Sequence, residues 1–317
     1  MGRRGKTIGI ALGGGGARGI AHIGVLRVLE EEGIGAEVVA GTSIGALVGG
    51  MYAAGMTPAE IEEKALGYIR GEAFRNSAIR AIEKAHAGGE RNWKEKLQSF
   101  LQNRFLVVQA MFKPGILSSE EFRSVIDYFL PDIAVEETRV PFRAVATDLR
   151  NGRLVAPDSG SLRQAVMASC AVPGAVEPLE EGEMILSDGG AICLIPSSVA
   201  REAGADVVVA VAVDRDICTE TEFRSARTVT HRAAEILARQ LENYELMEAD
   251  VVIRPDVGDL HWSEFSQAKG LVREGERAAR ERLAEIRAVV PRKPRVFRLN
   301  GLFRSLRKRD AGSGGED

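Results

Sequence analysis

Gly41-Thr42-Ser43-Ile44-Gly45 divides two stretches of opposite habit. Before it runs Glu37-Val38-Val39-Ala40, β-branched and strand-like, and after it Ile44-Gly45-Ala46-Leu47-Val48-Gly49-Gly50-Met51, small, apolar and helical in pattern. A serine between two such segments stands on a sharp strand-to-helix turn. Glycines two residues before and two after it remove the side chains that would collide at the crossing. This is the pattern of a nucleophile elbow, and it suggests an ester-cleaving enzyme. Glycine-rich helices also produce the pentapeptide, so the rest of the chain has to decide.

Outward from the elbow, strand-like runs alternate with helical patterns. Thr7–Leu12, Val38–Ala40, Phe142–Thr147 and Val207–Val213 read as strands, with Met184–Leu186 and Val251–Arg254 as shorter ones. Helical periodicity covers Ile20–Glu32, the stretch from Ile44, a segment opening near Pro58, Thr221–Glu248 and Phe265–Val289. Strands separated by helices predict a mainly parallel sheet with helices on both sides, an α/β fold. The segment from Leu66 to Ser119 interrupts this rhythm with helical pattern and Gly88-Gly89 as a breaker. It reads either as a cap inserted over an active site or as an ordinary helical excursion. Residues 1–290 form the expected domain, and 291–317 a tail.

The chain has 317 residues, 45% of them hydrophobic and 27% charged, with a net charge of −3, as expected of a globular protein with a sizeable core. Aromatics make up 5%, which together with the net charge argues against nucleic acid as a partner. Cys170, Cys193 and Cys218 contain no CxxC pair, so neither a zinc site nor a disulfide framework is indicated, and a reducing, cytoplasmic setting fits. The N-terminal basic residues and apolar run imitate a signal peptide, but the run dissolves into glycines and Arg18. Val38 to Met56 carries no charge, yet five of its residues are glycine, and a buried elbow with its helix explains it better than a membrane span.

Serine hydrolysis needs a nucleophile, a proton acceptor and donors for the oxyanion. Ser43 is the candidate nucleophile. Gly13-Gly14-Gly15-Gly16-Ala17-Arg18-Gly19 follows the first strand and opens a helix, so its unobstructed N–H groups could hold a phosphate or a developing oxyanion. Gly14-x-Gly16-x-x-Gly19 also satisfies the dinucleotide fingerprint. That fingerprint requires an acidic residue at the end of the second strand, whereas Glu37 precedes the strand. No Walker sequence is present.

The histidines are His22, His86, His231 and His261. His22 reads as a packing residue, His86 falls in the possible insertion and His231 in a long helical pattern. His261, beside Trp262 in a loop, is the only one placed as a triad base would be, though nothing singles it out. Asp188 is the better acceptor. It stands where Met184-Ile185-Leu186-Ser187 meets Gly189-Gly190, at the end of a strand and so at the kind of edge where parallel sheets assemble their sites. Held within hydrogen-bond reach, an aspartate can take a serine proton directly, and partial burial would strengthen it as a base. A common Asp-Gly-Gly turn is the plainer reading.

Together, Gly14-Gly15-Gly16-Ala17-Arg18-Gly19, Gly41-Thr42-Ser43-Ile44-Gly45 and Asp188-Gly189-Gly190, with Ala168-Ser169-Cys170-Ala171-Val172-Pro173 as a further block, resemble the patatin-like phospholipase family in its bacterial form over about residues 7–215. The resemblance implies a three-layer α/β/α sandwich and a Ser–Asp dyad that uses no histidine, no metal and no cofactor. Ser43 would be the nucleophile and Asp188 the proton acceptor. The backbones of Gly14, Gly15 and Gly16 would form the oxyanion hole, with Arg18, Gly41, Gly45, Gly189 and Gly190 in support. Phospholipid, lysophospholipid or neutral lipid esters would be the substrates. A catalytically silent lipid- or protein-binding module on the same fold is the alternative.

The tail changes character. Residues 291–317 hold eight Arg/Lys and carry +5, against −8 for residues 1–290. Val296, Phe297, Leu299, Leu302, Phe303 and Leu306 are interleaved with those cations over 291–309, a pattern suited to peripheral contact with an anionic membrane at its inner face. A solvated tail is the alternative.

Overall fold

The structure, a computed structural model, describes residues 6–77, 79, 80, 83, 117–214, 223 and 225–290. His86, the side chain of His231, Cys218, residues 84–116 of the possible cap and the 291–317 tail lie outside the described residues.

β1 (Ile8–Leu12) leads through a 3-10 turn into α1 (Ala21–Glu31), and β2 (Val38–Thr42) into α2 (Ile44–Ala53). Then come α3 (Pro58–Arg70), a short α4 (Glu72–Arg75) and α5 (Ser119–Phe129). α3 starts where the sequence marks it, at Pro58 after Thr57. The Thr57 hydroxyl accepts from the Glu60 N–H while the Glu60 carboxylate accepts from the Thr57 N–H, and Ser118 and Glu121 open α5 in the same way. β3 (Phe142–Asp148), β4 (Arg153–Val155), α6 (Leu162–Ser169), β5 (Leu179–Glu181) and β6 (Met184–Asp188) follow. The rest comprises α7 (Ser197–Glu202), β7 (Val207–Val211), α8 (Ala226–Leu246), β8 (Val251–Ile253) and α9 (Ala268–Val289).

The strands form one eight-stranded sheet in the order β5-β6-β3-β2-β1-β7-β8, with β4 paired beside β3. β3, β2, β1, β7 and β8 run parallel, as the strand–helix alternation predicts. β4, β6 and β5 add an antiparallel end that the sequence did not disclose. β4 and β5 have three residues each, too few for a period to register.

Alternation along the central strands builds two unlike cores. Ile10, Leu12, Val39, Val209 and Val211 point to one face and pack with α1, α2, α3, α5, α6 and α9. Ala11, Ala40, Val145, Val208 and Ala210 point to the other, where small side chains let α7 lie close. The result is a helix/sheet/helix sandwich that is thick on one side and thin on the other. Among the described residues, no helix is long and apolar enough to cross a membrane.

Candidate active site

Sheet register brings the candidate residues together. β1 and β2 are parallel neighbours with Leu12 opposite Gly41, so the glycine loop leaves the sheet beside the elbow. Thr42 on β2 is opposite Val145 on β3, and the next β3 residue, Ala146, is opposite Asp188 on β6. Asp188 therefore sits two strands from Ser43, at spacings of about 4.8 Å each. The sequence reading put Asp188 at a strand end of a parallel sheet. β6 is in fact antiparallel to β3, and it carries Asp188 inward from beyond the edge.

Ser43 is the only residue other than glycine with positive φ among the described residues, at φ 55° and ψ −124°. Such a conformation costs about 1–3 kcal/mol and has to be held by its surroundings. The glycines make the turn possible. A Cβ on Gly45 would lie 2.1 Å from the Leu12 carbonyl oxygen, and one on Gly41 2.4 Å from the Gly45 carbonyl oxygen. The Ser43 N–H donates to Ser169 Oγ at 2.9 Å, and the Cys170 thiol donates to the Ser43 carbonyl at 3.0 Å. One residue on, the Ala171 carbonyl accepts from the Asp188 N–H at 2.9 Å and from the Ser187 hydroxyl at 2.8 Å. The Ala168–Pro173 block thus ties the two candidate residues to one short segment.

Asp188 is 6% exposed. Its Oδ1 accepts from the Gly190 N–H at 2.7 Å, while Oδ2 is buried without a hydrogen-bond partner. Burial pushes its carboxyl up to about 6, with the Ser43 hydroxyl and the Gly190 N–H pulling the other way. The Ser43 hydroxyl is thus near enough to favour the carboxylate, though it does not complete an ordinary hydrogen bond to Oδ2. The Cys170 thiol, raised by burial and then by the Asp188 charge, stays protonated.

In the glycine loop, the Gly13 N–H donates to Val211 and the Gly14 N–H to the Leu194 carbonyl, each at 3.0 Å. The donor that the sequence reading assigned to Gly14 is therefore already engaged. The N–H groups of Gly15 and Gly16 meet no acceptor among the described residues, and these residues have φ 156° and 60°. Arg18, 9% exposed, donates from Nε to the Gly15 carbonyl at 3.0 Å and pairs with Asp214 at 2.6 Å, so it braces the loop. Its Asp214 partner had no signal in the sequence.

Neither described histidine ring partners Ser43. His22 is buried with Nε2 2.8 Å from the Gly13 carbonyl, and burial lowers its pKa to about 4, so it is neutral and donates that hydrogen bond. The His261 ring is bonded to the Ser263 hydroxyl and lies against Trp262. Among the described residues, no group of three or more His, Cys, Asp or Glu could hold a metal ion.

Ser43 and Gly16 open onto a cavity enclosing about 1180 Å³ of empty space, part of it open to solvent. Ile20, Leu47, Met51, Tyr68, Phe122 and Phe129 are among its lining side chains, and among the described residues none that lines it is charged. α3, α4 and α5 supply much of the wall. The described flanks of the Leu66–Ser119 segment thus lie at the pocket. A nucleophile-like serine, a buried carboxylate, free backbone donors and an apolar cavity are together suited to acyl transfer from a hydrocarbon-bearing ester.

A family profile described as patatin-like phospholipase matches residues 10–199, more than half of the chain. An uncharacterized NTE family protein of Mycobacterium tuberculosis is 33% identical over 207 residues, which cover 65% of this chain and 49% of that protein. The patatin-like phospholipase domain-containing protein 6 of Mus musculus is 34% identical over 215 residues, 66% of this chain and 14% of that protein. The chain thus spans about half the length, or less, of these curated relatives. Among solved structures, VipD from Legionella pneumophila aligns with 88% of this chain and 67% of its own at 16% identity and a TM-score of 0.46.

Proposed function

The chain belongs to the patatin-like phospholipase family, and from that premise we propose that it is a serine acyl hydrolase of lipid carboxylic esters, working through Ser43 and Asp188. One observation carries the reading: a strained, glycine-bounded serine opens onto a cavity whose described lining is apolar, beside a buried carboxylate with one oxygen unpartnered.

In the proposed reaction the acyl chain lies in the cavity with its carbonyl at Ser43. Ser43 Oγ attacks the carbonyl carbon while its proton passes to Asp188 Oδ2. The tetrahedral oxyanion takes hydrogen bonds from the Gly15 and Gly16 N–H groups, each contributing about 2.7–4 kcal/mol to lowering the barrier. The intermediate collapses, and Asp188 returns the proton to the leaving alcohol, forming an acyl-enzyme. A water molecule then loses a proton to Asp188, attacks the acyl carbon and releases the fatty acid, with Ser43 recovering its proton.

The domain is proposed to comprise residues 1–290, with residues 66–119 as a helical insertion or cap within it. The basic, leucine- and phenylalanine-bearing 291–309 stretch would bring it to anionic lipid. Equal co-sedimentation of the full chain and a 1–290 form with anionic liposomes would remove the tail from this account.

The test of function is product analysis on phospholipid, lysophospholipid and neutral lipid panels. Fatty acid released by the wild type and not by Ser43→Ala is expected. Saturable lipid binding without release would favour the silent binding module instead.

A further inference from the structure

We infer that Glu245, a residue remote in sequence from every motif of the site, is a positioning residue that holds the oxyanion loop in place for catalysis. The inference rests on the acyl-hydrolase reading and extends it.

The geometry centres on residues 193–195, the strand-free segment that follows the Asp188 turn. From α8, Glu245 offers two carboxylate oxygens to two consecutive donors: Oε1 accepts from the Leu194 N–H at 3.0 Å and Oε2 from the Ile195 N–H at 2.7 Å. The segment gripped in this way touches every part of the site. The Leu194 carbonyl takes the Gly14 N–H at 3.0 Å, and the Cys193 carbonyl takes the Thr42 hydroxyl at 2.9 Å, beside Ser43. Leu194 Cδ1 also lies where a Cβ on Gly14 or Gly190 would stand, at 2.8 and 3.3 Å, and Ile195 Cδ1 at 2.3 Å from one on Gly13. One carboxylate thus fixes the segment that sets the glycine loop against the elbow and the Asp188 turn.

Only a carboxylate satisfies both donors. Glutamine has a single acceptor oxygen, and its amide would face the second N–H with another donor. The grip depends on ionisation. Burial raises the Glu245 carboxyl to about 7, the two N–H groups and the Cys193 thiol oppose that rise, and Glu242 on the same helix adds to it. Glu202 on α7 acts on the Cys193 thiol, not on Glu245. Arg239 and Arg254 spend their charge on Glu242. Below about pH 7 one Glu245 oxygen becomes a hydroxyl and releases an N–H, whereas Asp188 loses its charge only near 6. Two protonations, in different parts of the fold, should then shut the enzyme down in acid.

The experiment compares full-length wild type with Glu245→Gln and Glu245→Asp, using a soluble short-chain ester from pH 5 to 9. Amide exchange at Gly14, Leu194 and Ile195 is followed in parallel by NMR. Because the oxyanion forms only in the transition state, kcat should fall about tenfold in Glu245→Gln with KM within twofold. Wild type should lose about tenfold in a step centred near pH 7, where Glu245 takes its proton, before the slope-1 limb set by Asp188 below about 6; Glu245→Gln should show the limb near 6 alone. Gly14 exchange should quicken at least tenfold in the variant. A folded Glu245→Gln with wild-type kcat, limb and Gly14 exchange would overturn the inference. If the variant does not fold, a wild-type limb that fits a single protonation near 6, with no step near 7, does so instead. Ser43→Ala separates the two claims: turnover that survives it refutes the hydrolase reading, while the exchange data still judge the loop.

Discussion

The surroundings of Ser43 and the cavity it faces are built on opposite principles. Around Ser43 nearly every polar group is committed: its N–H to Ser169, its carbonyl to Cys170, Thr42 to Cys193, Asp188 to Gly190 and Ala171. Directly beside it, the cavity wall offers aliphatic and aromatic surface and, among the described residues, no charge. The first region tolerates one arrangement, because each displaced group strands a buried partner. The second works by area and shape and tolerates graded change. On the proposed reading, chemistry and substrate choice fall to separate parts of the molecule, and substitutions should separate them too.

The largest effects belong to the polar region. Ser43→Ala and Asp188→Asn should each lower ester hydrolysis by about 10³-fold or more, with an unchanged far-UV circular dichroism spectrum. Gly45→Ala should fail to fold, because its methyl group would meet the Leu12 carbonyl at 2.1 Å; expression and thermal melting would check this. Asp188→Asn has a second, opposite consequence. The Asp188 carboxyl is raised from 3.8 to about 6 in the folded chain, so its contribution favours folding below the unfolded value and is lost as pH rises through about 6. Near pH 8 the ionised group should cost the fold up to about 3 kcal/mol. Asp188→Asn should accordingly melt at higher temperature than wild type at pH 8, an advantage that vanishes near pH 4. A lower melting temperature at pH 8 would mean that the carboxylate is held by more than the structure displays.

Smaller effects belong to the cavity. Phe122→Ala enlarges the wall at a buried position. It should shift the preferred acyl-chain length with a change of about tenfold in relative kcat/KM, leaving the pH dependence intact. Loss of all activity in Phe122→Ala, or a changed acid limb, would break the division between the two regions.

How much of this was legible in the sequence follows the same division. The central parallel strands announce themselves as buried β-branched runs, and Pro58 after Thr57 marks a helix start to the residue. The elbow, the glycine loop and Asp188 lie in motifs a few residues long, so local pattern finds them. β6 could not be recognised as antiparallel, because direction is decided by partners and not by the strand's own residues. The commitment of the Gly14 N–H to Leu194 is invisible for a similar reason: the acceptor lies far along the chain. Glu245, on a helix of ordinary composition, reaches Leu194 and Ile195 across some fifty positions, and no periodicity signals such a contact. The Leu66–Ser119 segment is legible only at its flanks, where Tyr68, Phe74 and Leu117 line the cavity.

The central claim is that Ser43 is a nucleophile whose proton goes to Asp188. Covalent labelling with a fluorophosphonate, followed by peptide mass spectrometry, tests it most directly. A single adduct on the Ser43 peptide is predicted, absent in Ser43→Ala and formed at least a hundredfold more slowly in Asp188→Asn. The wild-type labelling rate should fall tenfold per pH unit below about 6. An adduct on another serine, or equal labelling of wild type and Asp188→Asn, would contradict it.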